Sequence, residues 1–264
     1  MKRRTLWPRL GSPQKPCRRW RHQCGHATRS RAIWSRMPST RSWPKQSGGL
    51  WSVIRLAGTT SVMQQYLNIT HPCAGGLFSG RIHQGRANLN HGSYVRPGIE
   101  CEIAVRLGRD LSPADAPFTA DQVAEAVDSY MPAIEVVDER YADWPRTEAP
   151  TLIADDFFAA GCVLGASIPR QTLPDLAQLT GQAFINGVEA ARGVGGDVMG
   201  HPHNALAWLA NNFAGRGKAL REDQIVLTGS LVQTQWPANG DEVTVSIAGL
   251  GTVSLTFSGA APIA

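Results

Sequence analysis

From about residue 50 onward, the pattern of apolar and polar positions predicts many short strands and a few short helices. Apolar runs bounded by turn residues are typical of strands, and Asn186-Gly187 between two such runs indicates a type I′ hairpin. Because strands outnumber helices and do not alternate with them regularly, we predict an α+β domain built around a curled sheet. The predicted strands cover residues 100–107, 133–138, 182–185, 188–191, 224–232, 242–247 and 252–257.

Capping residues and apolar spacing predict three helices. A capping-box pattern at residues 119–122 opens one that would carry Val123, Val127 and Met131 on a single stripe. A helix at 202–214 would end at Gly215, the residue type that most often follows a helix. The predicted helices therefore begin at Thr60 or Ser61, at Thr119 and at Pro202.

Charge is distributed unevenly along the chain. Residues 1–99 contain 17 Lys and Arg and no acidic residue, whereas residues 100–264 contain 9 Lys and Arg against 21 Asp and Glu. The net charge of +5 therefore comes from the front of the chain and does not by itself indicate an anionic partner. The apolar content of 42% and the mean hydropathy of -0.19 are typical of a globular protein. We expect no membrane partner, because no apolar stretch approaches the ~20 residues of a membrane helix.

Residues 1–48 combine 13 Lys and Arg with four of the eight Trp and show neither helical nor strand periodicity. Three interpretations are open: an arm that binds nucleic acid, an organelle transit peptide, or translation of a GC-rich gene in the wrong frame. We favour the last, so the chain divides into a basic leader at 1–48, disordered or out of frame, and an ordered domain at 49–264. We therefore expect no nucleic-acid partner. The five scattered cysteines are typical of reduced thiols in a cytoplasmic protein.

Three glutamates are candidate metal ligands. Glu100 and Glu102 lie two positions apart in a predicted strand, so both side chains leave the same face. They repel each other unless a cation lies between them. Glu135 interrupts a second apolar strand, where an isolated carboxylate would lose its hydration. Carboxylates from these two non-adjacent strands could converge on a hard divalent cation such as Mg²⁺. A solvated Glu-x-Glu face is the alternative, and the spacing does not distinguish Mg²⁺ from Mn²⁺ or Ca²⁺.

Five motifs follow one another in the ordered domain. They are Ala57-Gly58-Thr59-Thr60, Glu100-x-Glu102, Ile134-Glu135-Val136-Val137-Asp138, Gly200-His201-Pro202-His203-Asn204-Ala205-Leu206-Ala207-Trp208-Leu209-Ala210-Asn211 and Val226-Leu227-Thr228-Gly229-Ser230. Their order and spacing resemble the 2-keto-4-pentenoate hydratase branch of the fumarylacetoacetate hydrolase superfamily, over about residues 50–258.

The resemblance implies a mixed β-roll with peripheral helices and Mg²⁺ (or Mn²⁺) held by Glu100, Glu102 and Glu135. It also implies a short 2-oxo acid as substrate and a homo-oligomer in the cytoplasm. The implied activity is a metal-dependent lyase that adds water to a 2-oxo or 2-hydroxydienoic acid in aromatic-compound catabolism, through an enolate that the metal stabilises. Decarboxylation of 2-oxo-3-hexenedioate, which also leaves an enolate, is the alternative, and a metal-dependent C–C hydrolase comes third.

The chain departs from the family pattern at three places. Arg55 replaces a lysine, Cys73 replaces an aspartate, and Asp155-Asp156-Phe157-Phe158 replaces Asp-Asn-Ala-Ser. Because arginine does not exchange its proton near neutral pH, a catalytically impaired relative is a further alternative. The catalytic candidates are Arg55, Cys73, Asp155 and Asp156. The candidates for substrate binding are Thr60, His201, Thr228 and Ser230.

Overall fold

The computed structural model describes residues 51–259, so the basic leader predicted at residues 1–48 lies outside the described residues. Between 51 and 259 the chain forms thirteen strands and four α-helices, joined by short turns of 3₁₀ helix. None of the described helices is long and apolar enough to cross a membrane. The helices are α1 (Ser61–Leu67), α2 (Ala120–Glu125), α3 (Ala149–Ala154) and α4 (Pro202–Ala214).

The strands are numbered in chain order. They are β1 (Trp51–Ala57), β2 (Cys73–Phe78), β3 (Ile82–Gln84), β4 (Arg86–Asn90), β5 (Pro97–Leu107), β6 (Val127–Asp138), β7 (Ala159–Leu164), β8 (Ile168–Pro169), β9 (Thr180–Ile185), β10 (Val188–Val194), β11 (Ile225–Ser230), β12 (Glu242–Ile247) and β13 (Gly251–Ser258).

Two mixed sheets contain all of these strands. The first has the order β2-β1-β11-β5-β6-β7-β3, with β8 paired to β6, and the second has the order β10-β9-β12-β13-β4. Most neighbours are antiparallel, whereas β1–β11, β3–β7 and β4–β13 are parallel. Strands β2 and β7, which lie far apart in the first sheet's order, also contact each other. The first sheet therefore curls into a roll, which confirms the predicted mixed α+β architecture.

The main core lies between the two sheets and α4. It brings Ile103 of β5 together with Val245 of β12, Phe257 of β13 and Leu206 of α4. A smaller apolar cluster lines the other face of the first sheet, inside the roll; its buried members include Val53, Ala104, Met131 and Leu227. Since side chains alternate along each strand, this inner face also receives the polar residues of the candidate site.

The predicted helix from Thr119 is only partly correct. Its capping box is present, with Thr119 as N-cap residue, but the helix ends at Glu125. Val127 and Met131 belong to β6 instead. The apolar spacing suited a helix, but β6 pairs along almost its whole length with β5, and this pairing determines the local structure. The helix at 202–214 and the hairpin at Asn186-Gly187 are confirmed.

Candidate functional site

The three predicted glutamates come together on the inner face of the roll. Glu100 lies directly opposite Glu135 in the antiparallel pair of β5 and β6, and Glu102 follows two positions later on the same face. One carboxylate oxygen from each lies within 4.8 Å of the others. The two strands are hydrogen-bonded neighbours, so the expectation that they are non-adjacent was wrong. Their pairing brings distant sequence positions to one point.

Each of these carboxylates has one oxygen in contact with another group of the protein. The Thr234 hydroxyl donates to Glu100 Oε1 at 2.6 Å, and the Gly229 N–H donates to Glu102 Oε2 at 2.8 Å. The Arg55 guanidinium forms an ion pair with Glu135 Oε1. These contacts orient the three side chains in the way that outer partners orient metal ligands.

The remaining oxygens fit a divalent cation. Within residues 51–259, Glu102 Oε1 and Glu135 Oε2 are buried and have no hydrogen-bond partner. A buried, unpaired carboxylate oxygen is costly, and a hard cation such as Mg²⁺ would remove that cost because it prefers oxygen ligands. Glu100 is only partly buried, so the site retains a side through which a small molecule could approach.

Burial and mutual repulsion control the charge state of the site. Burial raises the pKa of Glu102 well above its ordinary value, and the charges of Glu135 and Glu100 raise it further. Burial also raises the pKa of Glu135, to about 7, although Arg55 opposes the shift. For Arg55, burial favours a lower pKa, but the carboxylates around it, Glu135 first, outweigh burial and raise the pKa. The guanidinium therefore stays charged.

Asp156 joins the site, whereas Asp155 does not contact it. Asp156 Oδ2 accepts a hydrogen bond from Gly76 N–H at 3.0 Å, and its backbone carbonyl accepts one from Arg55 Nη1 at 3.1 Å. Burial raises the pKa of Asp156, with Arg55 acting in the opposite direction. Asp155 Oδ2 instead pairs with Arg140 Nη2 at 2.7 Å. A catalytic role for Asp155 stays a prediction.

Cys73 lies beside the site, and its side chain packs against apolar residues. It belongs to an apolar cluster with Leu152 and Phe157. Burial raises the pKa of its thiol to about 11, despite the opposing charge of Arg55. Near neutral pH the side chain is therefore a thiol, not the carboxylate that the family pattern has there. These contacts give Cys73 a packing role, and a catalytic role stays a prediction.

The hydroxyls of the residues predicted to bind substrate are used within the fold. Thr60 Oγ1 caps α1 by accepting from Met63 N–H at 3.3 Å. Thr228 Oγ1 donates to the Ile103 carbonyl at 2.9 Å, and Ser230 Oγ donates to the Val232 carbonyl at 2.7 Å. Substrate binding by Thr60, Thr228 and Ser230 stays a prediction.

His201 lies in a different cluster. Its Nδ1 accepts from His203 N–H at the start of α4, and its Nε2 lies 3.1 Å from Asp175 Oδ1. His203 Nε2 lies 2.6 Å from the Tyr130 hydroxyl. Tyr130 and Glu135 are an odd number of positions apart on β6, so they point to opposite faces of the sheet. The structure thus does not bring His201 together with the glutamates.

Sequence reasoning missed two donors that orient the carboxylates. Gly229 stands in the Val226–Ser230 motif, but nothing in that motif identified its N–H as a partner of Glu102. Its φ of +116° is a conformation that favours glycine. Thr234 lies in a loop after β11 and carried no signal at all. Its contact with Glu100 depends on the pairing of β11 with β5.

The chain matches known proteins over most of its length. Residues 81–258 match the family model described as fumarylacetoacetate (FAA) hydrolase, C-terminal. The 2-hydroxyhexa-2,4-dienoate hydratase of Comamonas testosteroni is 31% identical over 77% of this chain and 77% of that protein. The 2-keto-4-pentenoate hydratase 1 of Dechloromonas aromatica is 33% identical over 83% of this chain and 82% of that protein.

A solved structure agrees with these matches. It is 4-oxalocrotonate decarboxylase from Pseudomonas putida G7, complexed with magnesium and adipate, at a TM-score of 0.75 and 26% identity. The match covers 80% of this chain and 79% of that chain. With the family model spanning two thirds of the sequence and hydratases above 30% identity, the chain belongs to the fumarylacetoacetate hydrolase family.

Proposed function

We propose that the protein is a metal-dependent hydro-lyase that adds water to a short 2-oxo or 2-hydroxydienoic acid, as the 2-keto-4-pentenoate hydratases do, in the breakdown of aromatic compounds. The observation that carries this proposal is the convergence of Glu100, Glu102 and Glu135 within 4.8 Å inside the roll. Curated relatives named as hydratases support the reaction type.

The proposed cofactor is Mg²⁺, with Mn²⁺ as the alternative, held by one oxygen each of Glu100, Glu102 and Glu135. Oxygen-only donors suit either ion. The presence of magnesium in the decarboxylase structure supports Mg²⁺. When bound, such an ion would act as a Lewis acid toward the carboxylate and 2-oxo oxygens of the substrate.

The protein's own groups have separable roles in this proposal. Thr234, Gly229 and Arg55 hold the three carboxylates in position. The permanent charge of Arg55 offsets part of the negative charge of the carboxylates around it, but Arg55 cannot carry a proton to or from a substrate. Asp156 is the candidate that could exchange a proton, because burial raises its pKa and it touches Arg55.

Decarboxylation of a 2-oxo-3-hexenedioate-type acid is the second candidate, favoured by the structural match to 4-oxalocrotonate decarboxylase. A third candidate is a catalytically impaired relative. It is supported by the fixed charge of Arg55 and by the neutral thiol of Cys73, whose pKa is raised to about 11 by burial. Both residues replace groups that can exchange protons in the family pattern.

Two assays on the same protein separate these candidates. Loss of the ultraviolet absorbance of 2-hydroxypenta-2,4-dienoate would be followed with Mg²⁺ and after chelation, and release of CO₂ would be measured from 2-oxo-3-hexenedioate. We expect Mg²⁺-dependent hydration that Glu135→Gln and Glu100→Gln abolish, whereas Glu125→Gln, on an exposed residue of α2, leaves it unchanged. Full activity in Glu135→Gln would falsify the assignment. Activity on neither substrate would favour the impaired relative.

We also propose that the protein works in the cytoplasm as a homo-oligomer that acts on small molecules. The thiols support the compartment: Cys73, Cys101 and Cys162, the cysteines of the described range, are free and buried. The oligomer rests on family resemblance. Light scattering during size-exclusion chromatography would test it, and a monomer would contradict it.

A further inference from the structure

Arg55 has an unusual environment for a cation. Among the residues that the structure describes, it is the only buried lysine or arginine, with 3% of its surface exposed. It lies on β1, on the inner face of the roll, in contact with Glu135 and with the backbone of Asp156. Arginine is rarely buried unless it is paired, so its surroundings must compensate its charge.

The negative charges of the carboxylates around Arg55 need compensation even more than the positive charge of Arg55 does. Glu100, Glu102, Glu135 and Asp156 all act on Arg55 electrostatically, so four acidic groups surround one cation. Glu102 and Glu135 are fully buried. With no metal bound, the guanidinium of Arg55 is the positive charge that contacts this cluster directly and offsets the repulsion among its carboxylates.

We propose that Arg55 is an internal counter-ion, which keeps the carboxylate cluster formed in the metal-free protein and competes electrostatically with the divalent cation. This deepens the proposed function, because it concerns the same three glutamates. The first part of this inference, that Arg55 stabilises the metal-free cluster (the stabilising half), holds whether or not the protein is a hydratase. The second part, that Arg55 competes with the cation (the competing half), requires that a cation binds there.

The geometry explains why arginine suits this role better than the lysine of the family pattern. Nε of Arg55 faces Glu135 on β6, while Nη1 donates to the Asp156 carbonyl, in the segment after α3. One planar guanidinium thus bridges two elements, which a single ammonium nitrogen does less well. Its charge also does not depend on pH in the ordinary range.

The test compares Arg55→Met, Arg55→Lys and a control, Arg221→Met, which removes an exposed ion pair with Asp110. Tm would be measured after chelation and again with Mn²⁺, and the Mn²⁺ affinity would be measured from the electron paramagnetic resonance of the free ion. Without metal, we expect Arg55→Met to lower Tm by about 10 °C. Mn²⁺ should restore most of this loss. Arg55→Lys should lie between Arg55→Met and the natural chain, and Arg221→Met should match the natural chain.

The affinity of each variant for Mn²⁺ is the second measurement. In Arg55→Met, the removal of a positive charge beside the cation should outweigh the lost orientation of Glu135 and tighten Mn²⁺ binding about tenfold. Weaker binding in that variant would overturn the inference, since it would make Arg55 an orienting partner only. A metal-free Tm equal to that of Arg221→Met would overturn it as well.

Two further outcomes keep the inference and the proposed function distinguishable. If no variant binds Mn²⁺ or Mg²⁺, the metal-dependent function and the competing half of the inference fail together, while the metal-free Tm still decides the stabilising half. If Arg55→Met does not fold, Arg55→Lys would be compared in the natural chain and in a Glu135→Gln background. In the Glu135→Gln background its effect on Tm should be much smaller, because the carboxylate that needed compensation is gone. An equal loss in both backgrounds would contradict the counter-ion role.

Discussion

Replacing Gly229 with alanine should destabilise the protein and weaken metal binding at the same time. Gly229 has a φ of +116° and donates its N–H to Glu102 Oε2. A Cβ atom at this position would lie 2.2 Å from Thr59 Oγ1 and 2.7 Å from Thr59 Cγ2. Thr59 is itself buried, so neither residue can move easily.

The magnitude has two parts. A non-glycine residue in this conformation costs about 1–3 kcal/mol, and overpacking against Thr59 costs about 1–3 kcal/mol more. We therefore expect Gly229→Ala to lower the free energy of unfolding by about 2–6 kcal/mol. Displacement of the N–H from Glu102 should weaken Mn²⁺ binding about 10–100-fold, as for other groups that orient metal ligands.

Gly187 supplies the matched control. It has a φ of +77°, and a Cβ atom there would meet nothing within 4 Å. Gly187→Ala should therefore show only the conformational cost, about 1–2 kcal/mol, with no change in Mn²⁺ affinity. Urea denaturation and Mn²⁺ titration of both variants would measure the difference. Adding Thr59→Ala should recover part of the loss in Gly229→Ala. A loss no larger than that of Gly187→Ala, or unchanged Mn²⁺ affinity, would refute the reasoning.

Three other predictions concern individual residues. Thr234→Val removes the hydroxyl that donates to Glu100 Oε1 and should weaken Mn²⁺ binding about 10-fold or more; an unchanged dissociation constant would contradict this. Burial raises the pKa of Glu135 to about 7 in the folded, metal-free protein, whereas its ordinary value is 4.5. In the window between these two pH values, the folded protein holds a proton that the unfolded chain has lost. Its stability should therefore fall as pH rises through that window, while Mn²⁺ affinity rises and then levels off. Thermal unfolding and Mn²⁺ titration across the window would check both, and flat curves would count against the raised pKa. Asn211→Ala removes two hydrogen bonds to the Phe118 backbone and should lower the free energy of unfolding by about 1–3 kcal/mol, measured in urea.

The sequence by itself determined the local features and the type of chemistry. Apolar spacing and capping residues placed α4 at its observed bounds, and Asn186-Gly187 identified the hairpin. Alternation along a strand put Glu100 and Glu102 on one face, and the motif order indicated the family. These properties depend on residues close together in the chain, whose geometry the backbone fixes locally.

Only the tertiary structure decided how the site is assembled. The register of β5 against β6 places Glu135 opposite Glu100, and the parallel pairing of β1 with β11 brings Arg55 to the same face of the roll. Thr234 and Gly229 reach the glutamates through long-range pairing, which no local pattern encodes. The pairing of β6 with β5 likewise made Val127 part of a strand, although its spacing suited a helix. Strand order and register are set by the packing of the whole sheet, so residues remote in sequence acquire their roles only when the roll closes.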